Sequence, residues 1–241
     1  MPSVIKPDVY LIFGNGWISS QIREILEAQG KTVIVSKTRT ENREQVLTEL
    51  NELNDRGVVH VFNCAGLRGT PNADWCEDHS IEVTRSNILG ALNVMRVYPN
   101  VLILRLRGPM AADLDPKNLV TRLMKYERLI NIPSSVSVLS NLLPGAVLMA
   151  AHGVTGVFNL VNPGPCTNND IMERAREHIR PGLAWENFAV ADMNRVLRAP
   201  RANVTLDAGK LVRQCRELGY EIKNSHEALD DMFLEMKKKG L

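Results

Sequence analysis

At 241 residues, 44% of them hydrophobic and 23% charged, the chain is long enough to bury a sizeable core and lacks the composition of a disordered or fibrous protein. A formal net charge of +2 is too slight to argue for nucleic acid, and the run Lys237-Lys238-Lys239 reads as a solvated helix end. No apolar run reaches about 18 residues, no basic-then-apolar leader precedes the first strand, and four cysteines without a Cys-x-x-Cys pair stand among scattered histidines, so the pattern argues against a membrane span, a metal site and a disulfide framework and favours a cytoplasmic protein with reduced thiols.

Val9-Tyr10-Leu11-Ile12-Phe13 runs into Gly14-Asn15-Gly16-Trp17-Ile18-Ser19, the pattern of a buried strand turning through glycines into a helix. Ile18, Ile22, Ile25 and Leu26 share one face of that helix, which ends near Gly30, and Thr32-Val33-Ile34-Val35 gives a second buried strand. A helix over Glu41 to Asp55 follows, with Val46, Leu47, Leu50 and Leu53 at helical spacing, and then the strand Val58 to Phe62. A single helix from about Ser80 to Met95 is expected to turn Ile81, Thr84, Ile88, Ala91 and Met95 inward. Val101 to Leu104 reads as a buried strand, Val136 to Ala151 as a helix and Val157 to Val161 as one more strand. Strands alternating with helices predict an α/β fold, a Rossmann-like, doubly wound parallel sheet.

After Asn162-Pro163-Gly164-Pro165 the texture changes to helices near Asn168 to Ile179, Asp207 to Leu218 and Ser225 to Met236, with Ala184 to Phe188 as a strand. This predicts a small mixed α/β C-terminal lobe at the carboxyl ends of the strands, where such sheets bind ligands. The expected division is a nucleotide-binding domain over residues 1–106 plus 134–164 and a substrate lobe over 107–133 plus 165–241.

The glycine turn is the first candidate site. Gly14 permits the tight turn, Gly16 lets backbone approach a pyrophosphate, and the amides around Asn15, Trp17 and Ile18 open a helix whose positive end favours an anion. Ser19 holds the third fingerprint position, small but not glycine. Beyond the second strand stand Ser36, Lys37 and Arg39, with no acid before Glu41, so cations rather than a carboxylate await the adenosine ribose. That pattern favours NADP(H) over NAD(H), against the alternative of two solvated surface cations. Asn63-Cys64-Ala65-Gly66 closes the third strand with small residues that would let a ribose lie against backbone, and Asn87, a poor helix former mid-helix, is a further cofactor candidate unless it is merely exposed.

Asn63 to Glu77, with its Pro71-Asn72-Ala73-Asp74-Trp75-Cys76-Glu77 segment, resembles the nucleotide-rhamnose synthase/epimerase-reductases, relatives of dTDP-4-dehydrorhamnose reductase among the extended short-chain dehydrogenases. Leu104 to Arg107, Asn131 to Ser135 and Ala199 to Asp207 resemble the same family, in order along almost the whole chain. The resemblance implies an NADPH-linked enzyme that epimerises and reduces a 4-keto-6-deoxy sugar on a nucleoside diphosphate. It also implies substrate contacts at Asn72, Asp74 and Cys76, with Arg201 meeting the diphosphate and Trp75 serving the pocket or the lobe core.

The chain departs from that pattern between Asn93-Val94-Met95-Arg96 and Tyr98-Pro99-Asn100-Val101. There the family carries a strand, a substrate loop and the helix with its Tyr-x-x-x-Lys pair, at least about 30 residues if the piece is the size of a βαβ unit. The sheet is thus expected to be short by one strand-helix unit. The glycine turn is one residue shorter than the family's, Arg68 replaces a threonine and Thr70 an arginine. Four residues after Tyr10, Tyr98, Tyr126 and Tyr220 stand Gly14, Leu102, Ile130 and Asn224, never lysine, so no catalytic residue is assigned.

Two readings remain. One is a nucleotide-sugar oxidoreductase impaired by this loss, unless His60, His79 or water replaces the proton donor. The other is a non-catalytic subunit, NADP-binding and regulatory or partner-binding, with a homodimer left open.

Overall fold

The structure is a computed structural model that describes residues 8–69, 74–98, 101–189, 192 and 204–241. The chain divides into two compact units, Met1–Val101 and Leu102–Leu241. This cut differs from the one expected from sequence, since residues 102–106 and 134–164 fall in the second unit.

In the first unit β1 (Asp8–Phe13) is followed by α1 (Trp17–Ala28), β2 (Thr32–Ser36), α2 (Arg43–Asn54) and β3 (Val58–Asn63). The strands form a parallel sheet in the order β2-β1-β3, with Val9 opposite Thr32 and Asp8 opposite Val58. Parallel neighbours need a crossover, which α1 and α2 supply. β1 is paired on both edges and buried from Val9 to Phe13, and for that reason its sequence shows no alternation. Val46, Leu50 and Leu53 of α2 close the core over Leu11, Phe13 and Val59, while Leu47 stays outside at 44% exposure.

The segment after β3 is not the single helix expected. α3 (Trp75–Asp78) and α4 (Ser80–Thr84) are short, Arg85–Leu89 makes a π-helical turn closed by the Gly90 N–H on the Arg85 carbonyl, and α5 (Gly90–Val97) completes the element. The expected inner face is corrected as well. Ile81 is 65% and Ile88 56% exposed, with Leu89 and Leu92 also at the surface, whereas Ser86, Gly90, Asn93 and Val94 are buried. The cause is what the helix meets. Its inner stripe packs on the backbone of the loop beyond β2, a polar neighbour that accepts small and hydrogen-bonding side chains in place of the apolar stripe.

The second unit runs β4 (Leu102–Arg105), β5 (Pro109–Met110), α6 (Leu119–Leu123), β6 (Arg128–Leu129), β7 (Ser137–Val138), α7 (Leu139–Ala151), β8 (Gly156–Asn159), α8 (Asn168–His178), β9 (Glu186–Asn187), α9 (Gly209–Glu217) and α10 (Ser225–Lys238). Its strands form parallel pairs, β4 with β8, β5 with β7 and β6 with β9. Met110, Val138, Ile171, Met172, Leu229 and Phe233 lie in its core. α8 opens on a reciprocal cap, the Thr167 hydroxyl accepting the Asp170 N–H while the Asp170 carboxylate accepts the Thr167 N–H, and α10 opens in the same way on Asn224 and Glu227.

β4 was expected to be buried, yet Leu102, Ile103 and Leu104 are only half-buried and Val157 of its partner is 45% exposed. Among the described residues β4 has a single ladder partner, β8, and β3 likewise has only β1. An apolar strand paired on one edge keeps part of its surface open. Among the described residues no helix is long and apolar enough to cross a membrane.

Candidate functional site

The carboxyl ends of β1, β2 and β3 border a hollow of about 570 Å³ lined by Gly14, Asn15, Val35 to Glu41, Ala65, Gly66, Leu67 and Ser86. Gly14 has φ +87°, and a Cβ built there would stand 2.7 Å from the Ala65 nitrogen and 2.8 Å from its Cα. Glycine is therefore required twice at this position, for the left-handed backbone and for the close approach of the loop beyond β3. Gly16 is different: its backbone is extended at φ −110°, and nothing lies within 4 Å of the position a Cβ would take. Gly16 immediately precedes α1, at the end of a helix where backbone amides have no intrahelical acceptor.

Ser19 does more than fill the third fingerprint position. Its hydroxyl accepts the Gly16 N–H and donates to the Gly16 carbonyl, both at 2.7 Å, which fixes the turn. Trp17 is buried at 8% exposure, so its ring belongs to the core and its backbone alone is at the turn. Ile18 is half-buried beside it.

The loop beyond β2 carries the cations. Lys37 and Arg39 are exposed and line the hollow, with Arg39 Nη2 3.4 Å from a Glu41 carboxylate oxygen. Ser36 is buried, donates its hydroxyl to Glu49 at 2.6 Å and accepts the Thr38 N–H at 2.9 Å.

On the other side, the Asn63 side chain accepts the Ala65 N–H at 3.1 Å, folding the loop back beneath the hollow. Cys64 extends the ladder by donating its N–H to the Phe13 carbonyl, and burial pushes its thiol up to about 12. Asn87 is exposed, but both ends of its amide are engaged: it accepts the Leu67 N–H at 2.7 Å and donates to the Leu67 carbonyl at 2.8 Å. It clamps the wall of the hollow, and a Cβ on Gly66 would press to 3.2 Å of its oxygen. Sequence marked the residue without indicating this job.

Of the expected substrate residues, Asn72 and Arg201 lie outside the described residues, as does Thr70. Asp74 precedes α3, where its carbonyl accepts the Glu77 N–H, and Cys76 is half-buried within that helix. Trp75 is not core: it is half-buried and stacked on the His79 ring at 3.7 Å, while a ring nitrogen of His79 meets the Trp75 carbonyl at 2.9 Å.

No tyrosine lines the hollow among the described residues. Tyr10 is fully buried against His60, its phenol raised by burial and then by Asp8. Tyr98 donates to the Val59 carbonyl at 2.6 Å, Tyr220 donates to the Asn141 carbonyl at 2.7 Å with its phenol raised by burial, and Tyr126 is 50% exposed. His60 pairs with Asp8 at 3.3 Å, opposite Tyr10 on β1 and so about 13 Å along the strand from Gly14. Among the described residues no cluster of three or more His, Cys, Asp or Glu side chains could hold a metal ion.

The thiols give a direct check of these placements. Burial raises Cys64 and Cys166 to about 12 and raises Cys215 too, and only the thiolate is nucleophilic. At pH 8 the buried Cys166 and Cys215 should be alkylated only after unfolding, while Cys64 and Cys76, both half-buried, react in the native protein, Cys64 the more slowly because its thiol is raised. Peptide mapping that found Cys166 or Cys215 labelled as fast as Cys76 in the native protein would contradict their burial.

No protein-family model matches the chain. It is 31% identical over 268 aligned positions to the bifunctional dTDP-4-dehydrorhamnose 3,5-epimerase/dTDP-4-dehydrorhamnose reductase of Arabidopsis thaliana, covering 87% of this chain and 88% of that protein. That span exceeds the 241 residues of the whole chain, so the relative contains residues without a counterpart here. Among solved structures, the UDP-rhamnose synthase of Acanthamoeba polyphaga mimivirus superposes with a TM-score of 0.85 at 24% identity, covering 94% of this chain and 99% of that one. The dTDP-4-dehydrorhamnose reductase of Bacillus anthracis, solved in complex with NADP, superposes with a TM-score of 0.69 at 15% identity, covering 96% and 100%. These neighbours share the doubly wound nucleotide-binding fold.

Proposed function

This chain belongs to the family of dTDP-4-dehydrorhamnose reductases and UDP-rhamnose synthases, and from that premise we propose that it binds NADP(H) and a nucleoside-diphosphate-linked 4-keto-6-deoxy sugar without reducing the sugar at an enzyme's rate. The observation that carries this reading is the hollow at the strand ends. It has an open glycine turn at one side, two cations at the other, and no phenol beside a lysine. The residues fit a dinucleotide: Gly16 leaves room where a pyrophosphate would approach, and Lys37 and Arg39 stand where an adenosine 2′-phosphate would be met. The NADP complex of the Bacillus anthracis relative supports the same cofactor.

When bound, NADPH supplies a hydride. This chain's residues bind and orient it, but the hydride acceptor also needs a proton, and sequence and structure offer no phenol with a lysine one helical turn away. Asp74, Cys76, Asn72 and Arg201 remain the residues proposed for the sugar nucleotide, on the family pattern. A second reading, a cofactor-binding subunit of a larger assembly, is favoured by the exposed apolar residues Ile81, Ile88, Leu89 and Leu92 on one element.

Calorimetric titration tests the cofactor assignment. NADPH should bind at least about tenfold more tightly than NADH, because a dianionic phosphate gains charge-assisted hydrogen bonds from Arg39 and Lys37. The double variant Lys37→Ala/Arg39→Ala should lose that preference while still binding NADH. Equal affinity of the wild type for both cofactors would remove the NADP reading.

A further inference from the structure

The hollow's cationic wall is held from behind by Asn93 and Gly90 of α5, neither of which lines it. Asn93 of α5 is 6% exposed and donates both protons of its side-chain amide to the loop beyond β2, to the Thr40 carbonyl at 3.0 Å and to the Glu41 carbonyl at 3.0 Å. One turn earlier Gly90 lets the helix come so close that a Cβ there would stand 2.4 Å from the Thr40 hydroxyl and 3.2 Å from the Thr40 Cβ. Thr40 is itself 2% exposed. At the other end of the loop the Ser36 hydroxyl is bonded to Glu49 and to the Thr38 N–H. Both ends are thus anchored, and the residues between them include the exposed pair Lys37 and Arg39.

We propose that Asn93, seated by the close approach at Gly90, is a positioning residue for cofactor choice: it fixes the loop so that Lys37 and Arg39, rather than the Glu41 carboxylate, meet the 2′ substituent of the adenosine ribose. The proposal rests on the NADP reading given above and adds the device that enforces it. Glu41 also lines the hollow, with its carboxylate near Arg39. A carboxylate on this loop suits a ribose hydroxyl, and a cation suits a phosphate, so a loop free to turn at residues 40 and 41 would serve both cofactors alike. Asn93 removes that freedom by gripping the two carbonyls that flank the turn. An anchored loop also loses less conformational entropy when the phosphate binds, which concentrates the effect on NADPH.

The test compares Kd for NADPH and for NADH in the full-length wild type, Asn93→Ala, Gly90→Ala, Gly90→Ala/Thr40→Ala and Lys37→Ala/Arg39→Ala. In Asn93→Ala the Kd for NADPH should rise at least about fivefold while that for NADH changes less than about twofold, so that the preference collapses. Gly90→Ala should shift the preference in the same direction, and removing the Thr40 hydroxyl in the double variant should restore part of it. A fall in Tm with both Kd values raised equally would mean Asn93 is structural only, and the proposal would be overturned. If the wild type prefers NADPH, the Lys37/Arg39 variant loses that preference and Asn93→Ala keeps it, the positioning role falls while the cofactor reading stands. A wild type without preference overturns both.

Discussion

Purified protein given NADPH and UDP- or dTDP-4-keto-6-deoxyglucose should oxidise NADPH in a sugar-dependent way at least about 100-fold more slowly than ordinary enzyme turnover. Hydride delivery to a keto carbon leaves an alkoxide, and protonation by a positioned acid contributes about 10²- to 10⁴-fold, or about 2.7–5.4 kcal/mol of barrier. The structure gives every tyrosine another setting. Tyr98 and Tyr220 spend their hydroxyl protons on the carbonyls of Val59 and Asn141, Tyr10 is sealed inside β1, and Tyr126 has Ile130 four residues on. His60 is bonded to Asp8 toward the amino end of the strands, and one ring nitrogen of His79 is taken by the Trp75 carbonyl. Calorimetry should nevertheless detect cofactor binding in the same preparation. Sugar-dependent turnover at roughly 1 s⁻¹ or more, within the ordinary range of enzymes, would mean that another group delivers the proton and would overturn the impaired-enzyme reading.

Gly14→Ala should be the most damaging single substitution in the cofactor turn. A non-glycine residue at φ +87° costs about 1–2 kcal/mol, and the Ala65 backbone at 2.7 Å must give way, an overpacking of typically about 1–3 kcal/mol, for a total of about 2–5 kcal/mol. Because the displaced backbone is the far wall of the hollow, NADPH affinity should fall at least tenfold in whatever fraction folds. Gly16→Ala is the control that separates the two effects. With extended backbone and open space around it, the variant should unfold within about 1 kcal/mol of wild type while still weakening NADPH, since the methyl group would enter the space proposed for the pyrophosphate. Denaturant titration and calorimetry on both variants decide the matter. A Gly14→Ala protein as stable as wild type would show that the loop beyond β3 does not close on this residue.

Much of this was legible in the residues. The run Val9 to Phe13 determined a buried central strand, because five consecutive apolar side chains leave no face for water, and Gly14-Asn15-Gly16 determined the turn, because other residues rarely take the left-handed backbone at the first glycine. Helices α1, α2, α8, α9 and α10 were equally plain from their apolar spacing, and the want of a lysine after each tyrosine was a matter of counting.

Periodicity reports which stripe of a helix is most apolar, not what that stripe will meet. In Ser80–Val97 those two diverged. The helix turned Gly90 and Asn93 inward because a polar loop backbone, not a hydrophobic face, lay against it, and Ile81 and Ile88 were left outside. Asn87 and Asn93 look alike in the sequence, and only tertiary structure assigned one to the wall beyond β3 and the other to the loop beyond β2. The same holds for the half-open strand β4. Its apolar composition fixed that it would be a strand, but its burial depended on which partners its edges found, a property of residues far away in the chain.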